Sequence, residues 1–295
     1  MNRRTFLQSS FAVSALSSLP LATFASDHRI NPIGLQLYTV RTLMKTDVPG
    51  TLSKVAAVGY KELEFAGYFQ HSAKELRAMI DQDGLTAPSC HVSYTVVQDH
   101  WPQAIEDAHT MGHKFIVCPW IDDKQRKSPD GYKRAADLFN QAGETSRKAG
   151  IQFAYHNHYW EFIPSSQLDG KLPYDFLLDS TDPANVKMEL DLCWITVAGK
   201  DPAAYFKKYP GRFPLVHVKD LSQMPKLDMS RDSQAMIDDV AMHFTPIGGG
   251  LLPWKTLLPE AQDAGVQHFF VENDEPKDPI ENITASFDYL NKLRF

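Results

Sequence analysis

The sequence repeats one unit along its length, in which a helical stretch is followed by a glycine and then by a short apolar run. The unit is clearest at Val58-Gly59-Tyr60, Met111-Gly112-His113, Ala149-Gly150-Ile151 and Ala264-Gly265-Val266. A glycine after a helix takes the left-handed conformation that ends the helix, and the β-branched and aromatic residues that follow favour a strand. The chain is therefore predicted to alternate helices with strands.

Counting these units predicts eight strands. A further unit lies at Asp83-Gly84-Leu85, and the long interval between Gly150 and Gly265 has room for two more strands, Asn185–Asp191 and Phe213–Lys219. Ile33–Tyr38 supplies the first strand. The stretches between the strands are predicted as helices: Ser72–Gln82, Trp101–Met111, Tyr132–Ala149, Pro173–Ser180, Pro202–Tyr209, Pro253–Ala264 and Pro279–Leu290.

This pattern predicts the α/β class, as one (β/α)8 TIM barrel over residues 26–295 of the 295-residue chain. An open doubly wound sheet is the alternative, but no Gly-x-Gly-x-x-Gly turn supports it. Leu221–Thr245 is a long, polar, methionine-rich insertion after the seventh strand. Loops of this length are usually functional, so we expect a lid or a contact in a homo-oligomer. Gly248-Gly249-Gly250 is interpreted as a flexible loop rather than a phosphate cradle.

The N-terminus has the features of an export signal. Arg3 and Arg4 precede Phe6-Leu7 and a short serine-rich apolar run, and Thr23-Phe24-Ala25 supplies the small residues of a cleavage site. We interpret residues 1–25 as a signal peptide of the twin-arginine type, too short to span a bilayer. The mature protein is expected in the periplasm without stable membrane insertion.

Charge and cysteine content narrow the function classes. The chain has 30 basic and 36 acidic residues, a net charge of −6, and no basic run. Such a surface repels phosphate backbones, so no nucleic-acid partner is expected. Its three cysteines lie in apolar runs and are predicted to be buried, unpaired thiols.

Polar residues cluster where the predicted strands end, the edge at which barrels of this type carry their chemistry. The residues at these ends are Glu64, His91, His156, His158, Glu189, Asp191, His217, Lys219 and Glu272. Side chains two apart on a strand share a face, so His156 pairs with His158 and His217 with Lys219. The joint pattern of Asp191, His217 and Glu272 on consecutive strands predicts a site for Mn²⁺, Co²⁺, Zn²⁺, Fe²⁺ or Mg²⁺.

Several of these residues have simpler explanations. Glu64 has Lys61 and Arg41 as alternative salt-bridge partners, and Glu189 is expected to be structural, one layer below Asp191. The remaining histidines of interest are expected at the surface or in helix packing: His100, His109, His113, His243 and His268. Cys118 and Cys193 are expected to be small core residues.

From about Ile33 to Leu293 the chain resembles the sugar phosphate isomerase/epimerase family of xylose-isomerase-like TIM barrels. The matching segments are Gly34–Arg41, Gly59–Glu64, Ser89–His91, Tyr155–His158 with Glu161-Phe162, Glu189–Asp191 with Trp194, His217–Asp220 and Val271-Glu272. Together these segments are specific for the family, but none is specific for a substrate.

The resemblance implies a divalent ion held by side chains from strands 5 to 8. Asp191, His217 and Glu272 match the family's ligands on strands 6, 7 and 8. Ketose epimerases of this family have a second glutamate on strand 5, where this chain has His156, so only Glu272 remains of their acid–base pair. His156 is then the fourth metal ligand, and His158 or Glu161 is the candidate for proton transfer.

The reaction predicted from the resemblance is isomerisation or epimerisation of a small keto-sugar. A divalent ion that binds the carbonyl acidifies the neighbouring C–H, and a carboxylate or imidazole removes the proton. The catalytic candidates are Glu272, His156, His158 and Lys219; the substrate-binding candidates are Glu64, His91, Trp194 and Tyr38. The alternative is elimination from a keto-sugar or 3-keto-glycoside by a lyase or dehydratase. A nuclease like endonuclease IV and a non-catalytic sugar-binding barrel are less favoured.

Overall fold

The apolar runs after the repeated glycines form the strands of one closed parallel barrel. The structure, a computed structural model, describes residues 29–228 and 233–295. The strands in chain order are β1 Gly34–Gln36, β2 Glu62–Ala66, β3 Thr86–His91, β4 Phe115–Cys118, β5 Gln152–His156, β6 Val186–Asp191, β7 Leu215–Val218, β8 Asp220–Leu221, β9 Phe244–Thr245 and β10 His268–Val271. The barrel runs β1-β2-β3-β4-β5-β6-β7-β10 and closes on β1, which confirms the predicted TIM barrel.

Helices cover the outside of the barrel. They are α1 Arg41–Met44, α2 Val48–Val58, α3 Ala73–Gln82, α4 Tyr94–Asp99, α5 Trp101–Met111, α6 Asp123–Arg126, α7 Gly131–Lys148, α8 Pro173–Ser180, α9 Leu192–Val197, α10 Pro202–Lys208, α11 Ser233–Ala241, α12 Trp254–Asp263 and α13 Pro279–Lys292. The seven predicted helices end within two residues of these bounds.

Local signals in the sequence explain where these helices start and stop. Ser72 caps α3 in a capping box, in which Glu75 N donates to the Ser72 hydroxyl and Ser72 N donates to the Glu75 carboxylate. Gly112 ends α5 at φ 79°, a left-handed conformation that favours glycine. Proline stands in the first turn of α8, α10 and α13, where no backbone donor is needed.

The insertion after β7 has regular structure in the parts that the structure describes. β8 and β9 pair antiparallel, and α11 lies between them in the chain, with Met236 and Val240 buried. The glycine run that follows surrounds the carboxylate of Asp220, which accepts from Gly248 N at 2.9 Å and Gly250 N at 3.2 Å. A side chain at Gly250 would meet Asp220 Oδ1 at 2.2 Å. The interpretation of this run as a flexible loop is therefore wrong, because its amides hold a buried carboxylate.

Three further sequence predictions concern the chain as a whole. Cys90, Cys118 and Cys193 are buried free thiols, as predicted. Within residues 29–228 and 233–295, no helix has the length and apolar content needed to cross a membrane. The predicted signal peptide, residues 1–25, lies outside the described residues.

Candidate metal centre and active site

A cavity of about 410 Å³ opens at the end of the barrel where the strands finish. Six of the predicted site residues line this cavity: Tyr38, His91, His156, His158, Lys219 and Glu272. Asp191, His217, Glu64 and Trp194 lie behind them and have no exposed surface. The structure therefore brings the predicted residues together, but it places Glu64 and Trp194 outside the cavity lining.

Asp191, His217 and Glu272 converge at the base of this cavity. His217 Nδ1 lies 2.8 Å from Glu272 Oε2 and 3.9 Å from Asp191 Oδ2. Three potential ligand atoms, one from each residue, lie within 4.8 Å of one another. Atoms spaced in this way can bind a single divalent ion at ordinary ligand distances of about 2.0–2.3 Å. We call these three residues the upper group.

The backbone around Asp191 fixes which of its oxygens faces this group. Asp191 ends β6 and caps α9, so its Oδ1 accepts from Cys193 N at 2.8 Å and Trp194 N at 2.7 Å. Its Oδ2 is buried and has no hydrogen-bond partner. Lys219 Nζ lies 3.3 Å from that oxygen, close enough for an ion pair. A buried carboxylate oxygen left without a hydrogen bond is costly, and a bound cation would satisfy it.

A second set of histidines and carboxylates lies directly below the upper group. Glu189 Oε2 lies 2.8 Å from His91 Nε2 and 3.2 Å from His217 Nε2. Glu64 Oε2 lies 2.7 Å from His217 Nε2 and 3.1 Å from His91 Nε2. We call Glu64, His91, Glu189 and His217 the lower group. Glu189 is one layer below Asp191, as predicted, but it is a member of the site's charge network and not only a structural residue.

Opposite charges set the protonation of the lower group. Burial raises the pKa of Glu64, but the neighbouring His91 and His217 rings lower it by more. The pKa of this carboxyl is therefore well below its usual range. Burial also opposes ionisation of Glu189, yet the same two rings bring its pKa to about 2. Burial lowers the pKa of His91, whereas Glu64 and Glu189 raise it to about 9. These carboxylates are therefore ionised and paired with protonated or hydrogen-bonding rings.

His156 and His158 differ from the rings of the lower group because both are neutral. Burial lowers the pKa of His156 well below its usual value, and the nearby His217 lowers it further. Burial and the Lys219 ammonium do the same to His158. His156 Nε2 lies 4.0 Å from Asp191 Oδ2, at the edge of the upper group. A neutral imidazole can bind a metal or accept a proton, so both predicted roles remain chemically available.

His158 is held in place by its neighbours in the loop after β5. Its ring stacks on Trp160 with centroids 4.4 Å apart and planes 7° apart. Its backbone N donates to Glu161 Oε2 at 2.8 Å, and Tyr155 donates to the other oxygen of that carboxylate at 2.8 Å. Burial raises the pKa of Glu161 to about 7. Glu161 has no exposed surface, so it positions His158 and is a poor candidate for proton transfer to a substrate.

Lys219 carries its charge into the centre of the site. Its Nζ lies 2.8 Å from Glu272 Oε2 and 3.0 Å from Asp274 Oδ1, and the residue is 1% exposed. Burial disfavours the ammonium, but Asp191, Asp274 and Glu272 together raise its pKa well above the usual value. Burial raises the pKa of Asp274 to about 6 despite the neighbouring lysine. Lys219 is therefore a permanent cation beside the upper group, with Asp274 as a counter-ion.

Several residues that line the cavity were not predicted from the sequence, and two of them, Asp274 and Trp120, have side chains that can contact a substrate. Asp274 lies two residues beyond Glu272 in the last strand-to-helix loop, and Trp120 follows β4. Neither has a motif around it, although both follow a strand end. His113 and His268, expected at the surface or in helix packing, lie outside the cavity: His113 Nδ1 pairs with Ala87 O, and His268 pairs with Glu62.

Comparison with known proteins agrees with the fold. Residues 52–293 match the family described as xylose isomerase-like TIM barrel. An inosose dehydratase of Lacticaseibacillus casei is 24% identical over 264 residues, which cover 82% of this chain and 86% of the dehydratase.

Solved structures show the same architecture. A sugar phosphate isomerase/epimerase from Parabacteroides distasonis superposes with a TM-score of 0.72 at 25% identity, over 92% of this chain and 97% of its own. The IolI protein, whose structure has a bound zinc atom, superposes with a TM-score of 0.67 at 15% identity, over 88% of this chain and 96% of its own.

Proposed function

This chain belongs to the xylose isomerase-like TIM barrel family, and we propose that it is a divalent-metal-dependent lyase that acts on a keto-sugar by elimination. The single observation that carries this proposal is the similarity to inosose dehydratases over 82% of the chain. The sequence analysis favoured isomerisation or epimerisation and kept elimination as the alternative. The similarity to the dehydratases reverses this preference.

The cavity supports elimination because its acidic and basic side chains differ in chemical type. Epimerisation at one carbon needs a proton acceptor and a proton donor of similar strength on the two faces of the sugar. Here β5 contributes His156 instead of a second carboxylate, and the neighbouring His158 is also a neutral imidazole. The loops after β7 and β10 contribute the Lys219 ammonium and Asp274, whose pKa is raised to about 6 by burial. One base and one acid of different strength suit removal of a proton and protonation of a leaving group.

The upper group fits a divalent ion, because Asp191 Oδ2 is buried without a hydrogen bond beside His217 and Glu272. Asp191, His217 and Glu272 would hold the ion, with His156 as the fourth candidate ligand. When bound, a divalent ion polarises a sugar carbonyl and acidifies the adjacent C–H. The zinc atom of the IolI structure supports zinc among the metals that we propose.

The protein's own side chains carry the proton transfers. An imidazole nitrogen of His158 accepts the proton from the carbon next to the carbonyl. The electron pair of that C–H bond forms the new C=C bond as the C–O bond at the next carbon breaks. The departing oxygen takes a proton from Asp274 and leaves as water or as an alcohol, while the Lys219 ammonium stabilises the negative charge that develops on the substrate. His91 and Tyr38, which line the cavity, would bind the sugar's hydroxyl groups and ring.

Incubation of the metal-loaded protein with keto-sugars and methyl keto-glycosides in D₂O, followed by NMR, tests this function. We expect release of water or methanol together with an unsaturated keto-sugar. His158→Gln and Glu272→Gln should each lower the rate at least about 100-fold, while Glu62→Gln, which lies outside the cavity, should leave it unchanged. Deuterium uptake at carbon without loss of the leaving group would instead support an isomerase or epimerase, and no reaction in any arm would exclude both.

We further propose that the enzyme is exported, because residues 1–25 have the composition of a twin-arginine signal. Export favours an unphosphorylated substrate, since sugar phosphates are chiefly intracellular. Replacement of Arg3 and Arg4 by lysine should move the protein from the periplasmic fraction to the cytoplasm. Equal amounts in the periplasm before and after the replacement would contradict the proposal.

A further inference from the structure

A second hollow, of about 170 Å³, lies beside the main cavity. Trp120, Gln234 and Ile237 line both spaces, so the two adjoin at these residues. We call this second hollow the side groove. The α11 helix forms one wall of both spaces, through Gln234 and Ile237. A molecule bound over His158 in the main cavity can therefore extend past Trp120 into the side groove.

The side groove begins with an aromatic wall. Trp120 is 39% exposed, and its ring centroid lies 6.0 Å from that of His158 and 6.4 Å from that of Trp160. Arg126 stacks on Trp160 with its Cζ 4.2 Å from the ring centroid. A tryptophan exposed in a concave site is unusual. Its ring offers a flat apolar face to a ligand.

The rest of the lining combines two apolar side chains, Ile121 and Ile237, with polar and charged ones. Asp122, Asp123 and Arg126 line the side groove with the aromatic rings. A purely apolar ligand would remove water from these groups without replacing their hydrogen bonds, which costs free energy. A pyranose ring suits both kinds of surface, because its C–H face stacks on an aromatic ring and its hydroxyls hydrogen-bond to carboxylates and guanidinium groups.

We propose that the side groove is a subsite for a second hexopyranose ring, carried as the leaving group of the substrate. This inference rests on the proposed elimination reaction and makes its substrate class more specific. The enzyme would act on a keto-disaccharide, whose oxidised ring lies over His156 and His158 and whose second ring lies against Trp120. The released product would then be a free hexose.

Binding of sugars that cannot react tests the subsite without relying on the chemistry. Calorimetry would compare an unoxidised disaccharide of glucose with methyl glucoside, on wild type, Trp120→Ala and Trp120→Phe. We expect Trp120→Ala to weaken disaccharide binding about tenfold more than methyl glucoside binding, which corresponds to about 1.4 kcal/mol. Trp120→Phe should restore most of the loss. Met242→Ala, a 76% exposed residue outside both spaces, is the matched surface control and should change neither.

Turnover of the corresponding keto-sugars separates this inference from the proposed function. If wild type releases glucose from the keto-disaccharide, the same tenfold difference should appear in KM and not in kcat. Equal losses for disaccharide and methyl glucoside in Trp120→Ala would overturn the subsite even if elimination occurs. A larger loss for phenyl glucoside than for the disaccharide would also overturn it, in favour of an aromatic leaving group. Selective disaccharide binding without turnover would support the subsite and contradict the lyase.

Discussion

Replacement of Glu64 by glutamine should weaken metal binding although Glu64 is not a member of the upper group. His217 Nε2 lies 2.7 Å from Glu64 Oε2, while its Nδ1 lies 2.8 Å from Glu272 Oε2. When Nε2 carries the proton and donates it to Glu64, Nδ1 is left with a lone pair toward Asp191 and Glu272. This is the arrangement by which a carboxylate behind a metal-bound histidine fixes its tautomer and raises its basicity.

The size of the effect follows from what glutamine keeps and loses. The Glu64 carboxylate accepts from Gln36 at 2.8 Å and from Ser89 at 2.5 Å, in addition to the two rings. The amide oxygen of glutamine can still accept from His217, but a neutral acceptor provides roughly half the hydrogen-bond energy of a charged one. A loss of about 1.4 kcal/mol corresponds to a tenfold weaker metal affinity. Glu64→Ala, which removes the acceptor altogether, should approach a hundredfold.

Competition with a chromophoric chelator measures the affinity directly, with Zn²⁺ and Mn²⁺ tested separately. Glu62→Gln is the matched control because Glu62 lies on the same strand and pairs with His268 Nδ1 at 2.9 Å, away from the upper group. It should bind metal as wild type does. Urea unfolding of the metal-free proteins would show whether each variant remains folded. The reasoning is refuted if Glu64→Gln binds metal as tightly as wild type, or if Glu62→Gln loses as much.

Three other changes have expected outcomes that can be measured. Lys219→Met should bind metal at least about tenfold more tightly, because the ammonium no longer neutralises Glu272. Its turnover should fall about 100-fold, because the fixed positive charge beside the substrate is lost; weaker metal binding by chelator competition would contradict this. Asp220→Ala should lose at least about 3 kcal/mol in urea unfolding, because several backbone amides and an indole N–H lose their buried acceptor. For Glu161, the folded pKa of about 7 exceeds that of the unfolded chain, so at this residue the unfolded state holds fewer protons between pH 4 and 7. The contribution of Glu161 to the free energy of unfolding should therefore fall by about 3 kcal/mol as pH rises through this range. Glu161→Gln should flatten that fall, because an amide can accept from His158 N and donate to Tyr155; an unchanged pH slope would contradict it.

The barrel itself could be predicted because its signals are local. The glycine that ends α5 and the capping box of α3 specify chain direction within a few residues, and these set the number and order of the units. The strand ends followed from the same pattern, so Asp191, His217 and Glu272 could be placed at one edge without a structure. Convergence of these three side chains requires only that the strands be parallel and adjacent, as β6, β7 and β10 are.

The parts that could not be predicted depend on contacts between distant segments. Glu189 was placed in the right layer, but its pairing with His91 joins residues 98 apart in the chain, and no local pattern specifies it. Asp220 was recognised only as part of a family segment, whereas its carboxylate organises the glycine run about 30 residues later. Periodicity identifies the face on which a side chain lies, but not the partner that it meets across the barrel.

The two groups share His217, and this sharing limits how metal can bind. Its Nδ1 belongs to the upper group and its Nε2 to the lower group. A neutral ring has one lone pair and one proton, so it can serve one group as a ligand only while it donates to the other. The lower group has two carboxylates within 3.2 Å of Nε2, which favours the proton there. The ligand nitrogen is then Nδ1, and a metal in the upper group and the anionic lower group stabilise the same tautomer.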